Sequence, residues 1–221
     1  MILCIDKESL LKIIENTAKT IEKNKEYLTR LDSIIGDGDH GINLNRGFEV
    51  ILNKLPSLEK QEVDVILDNV GRALLESVGG SVGALYGSAI IKAGKIVKGK
   101  EKIYLDDLVN MIEAAEDEIK KIGHAELGEK TVLDTIHPFV ETLKKASKDN
   151  LPFLDALEGG VEAAKKGLES TRQMIAKKGR AKYFGEKTLG YQDVGATSSY
   201  LMIESLFKTM KEISKSSNSV S

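Results

Sequence analysis

The chain's densest chemistry lies between Arg30 and Gly47. There Asp32, Asp37 and Asp39 bring three carboxylates into eight residues, with His40 and Asn43 directly behind. Gly36, Gly38 and Gly41 give this stretch backbone freedom that other residues lack. Three like charges this close repel one another unless something positive sits between them. A hard divalent cation meets that need, because magnesium takes oxygen ligands from a few carboxylates and leaves its other positions to water and phosphate. An EF-hand is excluded: the twelfth position counted from Asp37 is Phe48, not the bidentate Glu. Any one of these aspartates could be a turn former or a cap, Asp39 for a following helix. Three together, with His and Asn beside them, favour a metal or phosphate site.

Three further stretches carry polar or Gly-rich signals. Gly79-Gly-Ser-Val-Gly-Ala-Leu-Tyr-Gly87 could cradle a phosphate with its backbone amides and the N-terminus of a following helix, or simply let helices pack closely. It is not a Walker A loop, since no Gly-Lys-Ser/Thr follows. Arg180 sits among Lys178, Lys182 and Lys187, either as part of a solvated charge run or as a cation for polyphosphate. Asp193-Val-Gly-Ala-Thr-Ser198 reads as a cap for a last helix or as a fourth wall of the same site. His124 and His137 have no partner pattern, and nothing resembles a nucleophile–base pair. Carboxylates, backbone amides and cations without an activated nucleophile suit phosphoryl transfer, where catalysis is mainly positioning and charge neutralisation.

The elements that must position these groups are helices. Leu10, Ile13, Ile14, Thr17, Ile21 and Leu28 recur at helical spacing, so Ser9 is expected to cap a first helix to about Leu28. A second helix is expected from His40 to Leu55, stopped by Pro56, and a third from a Ser57 cap to Val78. The Gly-rich turn then feeds a fourth to about Val97. A fifth opens at Tyr104 or Asp106 and runs through Ile119. A sixth starts at Thr131 despite Pro138, a seventh has Pro152 in its first turn and reaches Ala176, and an eighth spans Ala196 to Ile213. The result is an all-α, eight-helix up-and-down antiparallel bundle, a single domain over residues 1–213 with a Ser-rich, disordered tail at 214–221. In an up-and-down array alternate connections share one end. The exits of helices one, three, five and seven therefore converge on a single composite site.

The chain has 221 residues, 41% of them hydrophobic and 30% charged, with 5% aromatics and three prolines. That composition supports a sizeable core and favours helix over strand. A net charge of −2 gives no reason to expect nucleic acid or an anionic membrane as a partner. No stretch reaches the roughly 18 apolar residues of a membrane span. Cys4 is the one cysteine, so no intramolecular disulfide forms and a reducing cytoplasm fits best. The opening residues are too short for a signal peptide and carry no leader before Cys4.

The four motifs together resemble the nucleotide-binding L subunit of bacterial dihydroxyacetone kinase. The resemblance rests on Ile35-Gly-Asp-Gly-Asp-His-Gly-Ile-Asn-Leu-Asn-Arg-Gly47, on Gly79 to Gly87 and on Gly128-Glu-Lys-Thr131. It continues through Gly179-Arg-Ala-Lys-Tyr-Phe-Gly-Glu186 and Gln192 to Ser198. It implies an eight-helix barrel holding ADP or ATP at one end, with Asp32, Asp37 and Asp39 binding two Mg2+ ions. His40, Gly41, Ile42, Asn43, Ser81 and Val82 would line the phosphate side. Gly123 and Val132 would lie beside the adenine, while Arg180, Asp193, Val194 and Gly195 would close the pocket. Val82, Ala84 and Val194 depart from the usual Ser, Pro and Pro of that family.

The implied partners are a K subunit holding dihydroxyacetone and a phosphohistidine carrier subunit that recharges bound ADP. A transcription regulator and a second copy of the chain are further candidates. The alternatives are an ATP-dependent kinase subunit for another small keto-sugar and a nucleotide-binding regulatory subunit without turnover.

Overall fold

The computed structural model describes residues 3–219, with side chains through Ser216. Eight α-helices dominate the described residues: α1 (Lys7–Ile35), α2 (His40–Leu58), α3 (Val63–Ser77), α4 (Gly80–Ile96), α5 (Leu105–Gly123), α6 (Leu133–Lys148), α7 (Phe153–Ser170) and α8 (Val194–Ser219). Each helix packs on the next, and α8 packs back on α1, which closes the ring into a barrel. The expected all-α bundle is therefore what forms. Two two-residue strands, β1 (Ile5–Asp6) and β2 (Lys102–Ile103), pair antiparallel and tie the N-terminus to the α4–α5 connection.

Helix boundaries depart from the expectations where capping decides them. The cap of α1 is Asp6, not Ser9: its Oδ1 accepts from Ser9 N at 2.9 Å. The helix also runs past Leu28 to Ile35, because Leu28, Leu31 and Ile35 continue the buried stripe. Asp32 therefore stands on the last turn of α1 rather than in a loop. Pro56 does not stop α2, which absorbs it and Ser57 before ending at Leu58; α3 begins at Val63 instead of after Ser57. Nearly all of the Gly79–Gly87 stretch is helix, and α7 ends at Ser170, short of Ala176. α8 begins before Ala196 and runs past Ile213 into the Ser-rich segment, whose last two residues lie outside the described ones.

Glycines let α3 and α4 approach closely. A Cβ on Gly71 would lie 2.6 Å from the Gly87 carbonyl oxygen, and one on Gly87 would lie 2.7 Å from the Gly71 oxygen. The α3 and α4 backbones therefore touch where both lack side chains. The core is mainly aliphatic, with Ile21, Leu28, Leu44, Ile66, Leu133 and Leu143 sealed from solvent alongside the aromatic Phe139. This rigid ring leaves its functional chemistry to one rim.

Candidate functional site

The carboxylate cluster is built by the end of α1 and the start of α2. Asp32 is 7% exposed, and its Oδ2 accepts from Asp39 N at 3.0 Å and His40 N at 3.2 Å. Asp32 thus caps α2 from outside. Asp39 occupies the N-cap position yet makes no side-chain cap bond, so its carboxylate is free for another partner. The turn between them needs glycine: Gly38 has φ 75°, and a Cβ on Gly36 would run into the Asp32 carboxylate.

One carboxylate oxygen from each of Asp32, Asp37 and Asp39 lies within 4.8 Å of the others. Burial pushes the Asp32 carboxyl up, and the charges of Asp37 and Asp39 push it the same way, against the two backbone N–H bonds. An all-oxygen set with Asp37 and Asp39 open to solvent fits a hard divalent cation that keeps water or phosphate in its remaining positions. Arg180 supplies a positive charge here: its Nε lies 2.9 Å from Asp37 Oδ2.

The cluster faces a cavity of about 290 Å³ at one end of the barrel. Its walls come from the ends of α1 and α5, the segments that follow α1, α3, α5 and α7, and the first turns of α2, α4 and α8, as the alternation of connections requires. The N-terminus of α4, from Gly79 to Val82, points its first-turn amides at this end, with Gly79 making no side-chain cap bond. Opposite, Asp193 caps α8 by accepting from Ala196 N at 2.7 Å, and burial pushes its carboxyl up to about 6. Leu85, Ile119, Ala125 and Val132 add an apolar wall.

A buried polar chain ties three helices behind this wall. His40 Nε2 is 2.9 Å from Ser198 Oγ, and Ser198 Oγ is 2.8 Å from the Tyr86 hydroxyl, which donates to the Gly195 carbonyl at 3.0 Å. Burial pushes the His40 imidazole down to about 4 and the Tyr86 phenol up to about 12, so both are neutral near pH 7.

Asp32, Asp37, Asp39, His40, Ser81, Val82, Gly123, Val132, Arg180, Asp193, Val194 and Gly195 all line the cavity. Gly41, Ile42 and Asn43 do not. All three belong to the first turn of α2, of which only His40 is part of the cavity wall. Gly41 packs against the Lys25 carbonyl and Thr29 of α1, Ile42 is 53% exposed on an outer groove, and Asn43 accepts from Arg46 Nη2 at 3.1 Å. Sequence reasoning missed Tyr86 and Lys130 as lining residues. Tyr86 lies in the Gly79–Gly87 stretch and Lys130 in Gly128-Glu-Lys-Thr131, the signals that could have found them.

A family model for the DAK2 domain matches residues 34–208. The ADP-binding subunit of the PEP-dependent dihydroxyacetone kinase of Escherichia coli is 42% identical over 187 residues, 85% of this chain and 89% of that protein. The ADP-binding subunit of PEP-dependent dihydroxyacetone kinase 2 of Listeria innocua is 39% identical over 202 residues, 90% of this chain and 93% of that protein. Among solved structures, the dihydroxyacetone kinase of C. freundii in complex with AMP-PNP and Mg2+ superposes with a TM-score of 0.71 at 21% identity. That match covers 94% of this chain and 35% of the other, so the present fold spans about a third of the larger protein.

Proposed function

Because this chain belongs to the DAK2-domain family, we propose that it is the ADP-binding subunit of a dihydroxyacetone kinase. In this reading it passes a phosphoryl group from bound nucleotide to dihydroxyacetone held on a separate K subunit. The bound ADP is recharged by a phosphohistidine carrier subunit. The observation that carries the reading is the facing of three clustered carboxylates, a guanidinium and two helix N-termini across one cavity.

Each group has a task that its chemistry suits. Asp32, Asp37 and Asp39 hold two Mg2+ ions, which when bound neutralise phosphate charge and stabilise its redistribution during transfer. The amides at the start of α4, beside Ser81 and Val82, take phosphate oxygens without a side-chain hydroxyl at position 82. Arg180 adds an exposed positive charge on the solvent side. The apolar surface of Leu85, Ile119, Ala125 and Val132, next to Gly123, takes the base. His40 is neutral and bonded to Ser198, so it orients rather than supplying charge.

Native mass spectrometry of protein purified without added nucleotide, followed by an ATP chase, tests the reading. A retained mass of ADP plus two Mg2+ that resists the chase is the expected result. An empty protein that exchanges ATP freely moves the assignment to an ATP-dependent keto-sugar kinase subunit. Failure to bind either nucleotide overturns it.

A further inference from the structure

Among the described residues Lys130 is the one buried lysine, 1% exposed, and it sits in the left-handed region at φ 61°. Its Nζ donates to the carbonyls of Thr171 and Tyr191, both at 2.5 Å. Burying an ammonium is costly unless it is paired. Burial pulls the Lys130 ammonium down, the carboxylates of Asp193 and Asp134 pull it up, and Arg172 opposes them. The two carbonyls stand at the two ends of the 172–190 segment, which leaves α7, carries Arg180 to Asp37 and returns to α8. Arg172 braces the same neck: its carbonyl accepts from Gly190 N at 2.7 Å, and its Nη1 donates to the Gly190 carbonyl at 2.9 Å.

We propose that Lys130 is a positioning residue for the nucleotide pocket, holding the Asp193 cap at the start of α8 and the neck of the 172–190 segment so that Asp193–Gly195 and Arg180 meet at one cavity. This rests on the reading of that cavity as a nucleotide site. The charged and titratable groups facing Asp193 are Lys130 from the α5–α6 connection, Asp134 from α6 and the neutral Tyr86 from α4. Burial pushes Asp193 up, the Ala196 N–H and Lys130 pull it down, Asp134 pushes it up, and the Gly195 N–H pulls it down. Removing the Lys130 charge moves the Asp193 midpoint further up, by on the order of one pH unit. A protonated Asp193 is a weaker acceptor for the first amides of α8. The pocket therefore loses its arrangement at pH values where the wild type keeps it.

The test uses the full chain with Lys130→Met, Lys130→Arg and the double variant Lys130→Met/Asp193→Asn. Carbon-13 NMR of the Asp193 carboxyl is titrated without nucleotide, and ADP affinity in MgCl2 is measured from about pH 5.5 to 8.5. In Lys130→Met the Asp193 midpoint is expected to rise, with at least about a threefold loss of ADP affinity at pH 6.5 largely regained by pH 8.5. Lys130→Arg keeps the charge and the wild-type midpoint, and the double variant shows no recovery with pH. An unmoved midpoint in Lys130→Met, or a loss of affinity equal at all pH values, overturns the proposal. If Lys130→Met does not fold, Lys130→Gln carries the same comparison. Because the midpoint is read without nucleotide, its shift upholds the coupling even in a protein that binds no ADP; absence of ADP binding would remove the nucleotide reading instead.

Discussion

Asp32 and Asp37 belong to the same carboxylate cluster but differ in what else they do, and that difference sets a sharp test. Asp37 is one-third exposed, and Arg180, its ion-pair partner, is 71% exposed. An exposed pair of this kind contributes about 0–1 kcal/mol, and losing Asp37 also relieves the repulsion on Asp32. Asp37→Ala should therefore move the melting temperature of the nucleotide-free protein by less than about 4 °C. Asp32 is buried and satisfies two backbone N–H groups at the start of α2. Removing such a cap costs about 0.5–2 kcal/mol, which for a chain of this size lowers the melting temperature by about 1–8 °C. Cation-dependent binding should fall together in both variants. Partners that merely orient metal ligands are worth about 10–100-fold in metal affinity, so losing a ligand outright should cost at least about 100-fold. Asp32→Asn, which keeps an acceptor for the two amides, should recover most of the melting temperature but none of the cation dependence. Thermal melts without nucleotide and calorimetric titration of ADP with and without MgCl2 read the two effects separately. Wild-type Mg2+ dependence in Asp37→Ala would refute the cation assignment, and equal melting of Asp32→Ala and Asp37→Ala would refute the capping role.

Arg180→Ala should leave stability within about 1 kcal/mol, because its pair with Asp37 is exposed. Its ADP affinity should drop roughly 10- to 100-fold if the guanidinium meets phosphate; an unchanged affinity measured by calorimetry would leave Arg180 a surface residue. Gly87→Ala should destabilise by about 1–3 kcal/mol, since the new Cβ lies 2.7 Å from the Gly71 carbonyl and the two helices must separate; urea unfolding without a shift in midpoint contradicts this. His40 has a folded pKa of about 4 against an ordinary 6.5, so the neutral form is favoured on folding. Its contribution is complete above pH 6.5 and is lost as pH falls through about 4, amounting to about 3 kcal/mol. Urea denaturation at pH 7 and pH 4 should therefore show a smaller acid loss in His40→Gln than in wild type, and identical losses would place the acid sensitivity elsewhere.

How far the chain could be read from its letters depended on whether the deciding interaction was local. The helices declare themselves through apolar spacing such as Leu10, Ile13, Ile14, Thr17 and Ile21, and their alternation by itself puts the Gly- and Asp-rich exits at one end. Boundaries were less legible. Asp6 rather than Ser9 caps α1 because the β1–β2 pairing fixes Asp6 in place, and α1 continues to Ile35 because its last turn packs inside the barrel. These are tertiary choices between locally similar options.

The site divides the same way. Three clustered aspartates, with glycines to let the turn close, are a property of the sequence, because the residues lie within eight positions of one another. That Asp32 caps the next helix while Asp39 stays free was decided by the angle at which α1 meets α2. That His40 lines the cavity while Gly41, Ile42 and Asn43 do not was decided by how α2 packs against its neighbours. Lys130 shows the limit most plainly. In sequence it is a lysine in a polar loop, and solvent is its default; only the approach of Thr171 and Tyr191, 41 and 61 residues downstream, gives its ammonium buried acceptors. Local spacing told which groups could do chemistry, whereas the desolvation and partners that set their charge came from segments the fold brings together.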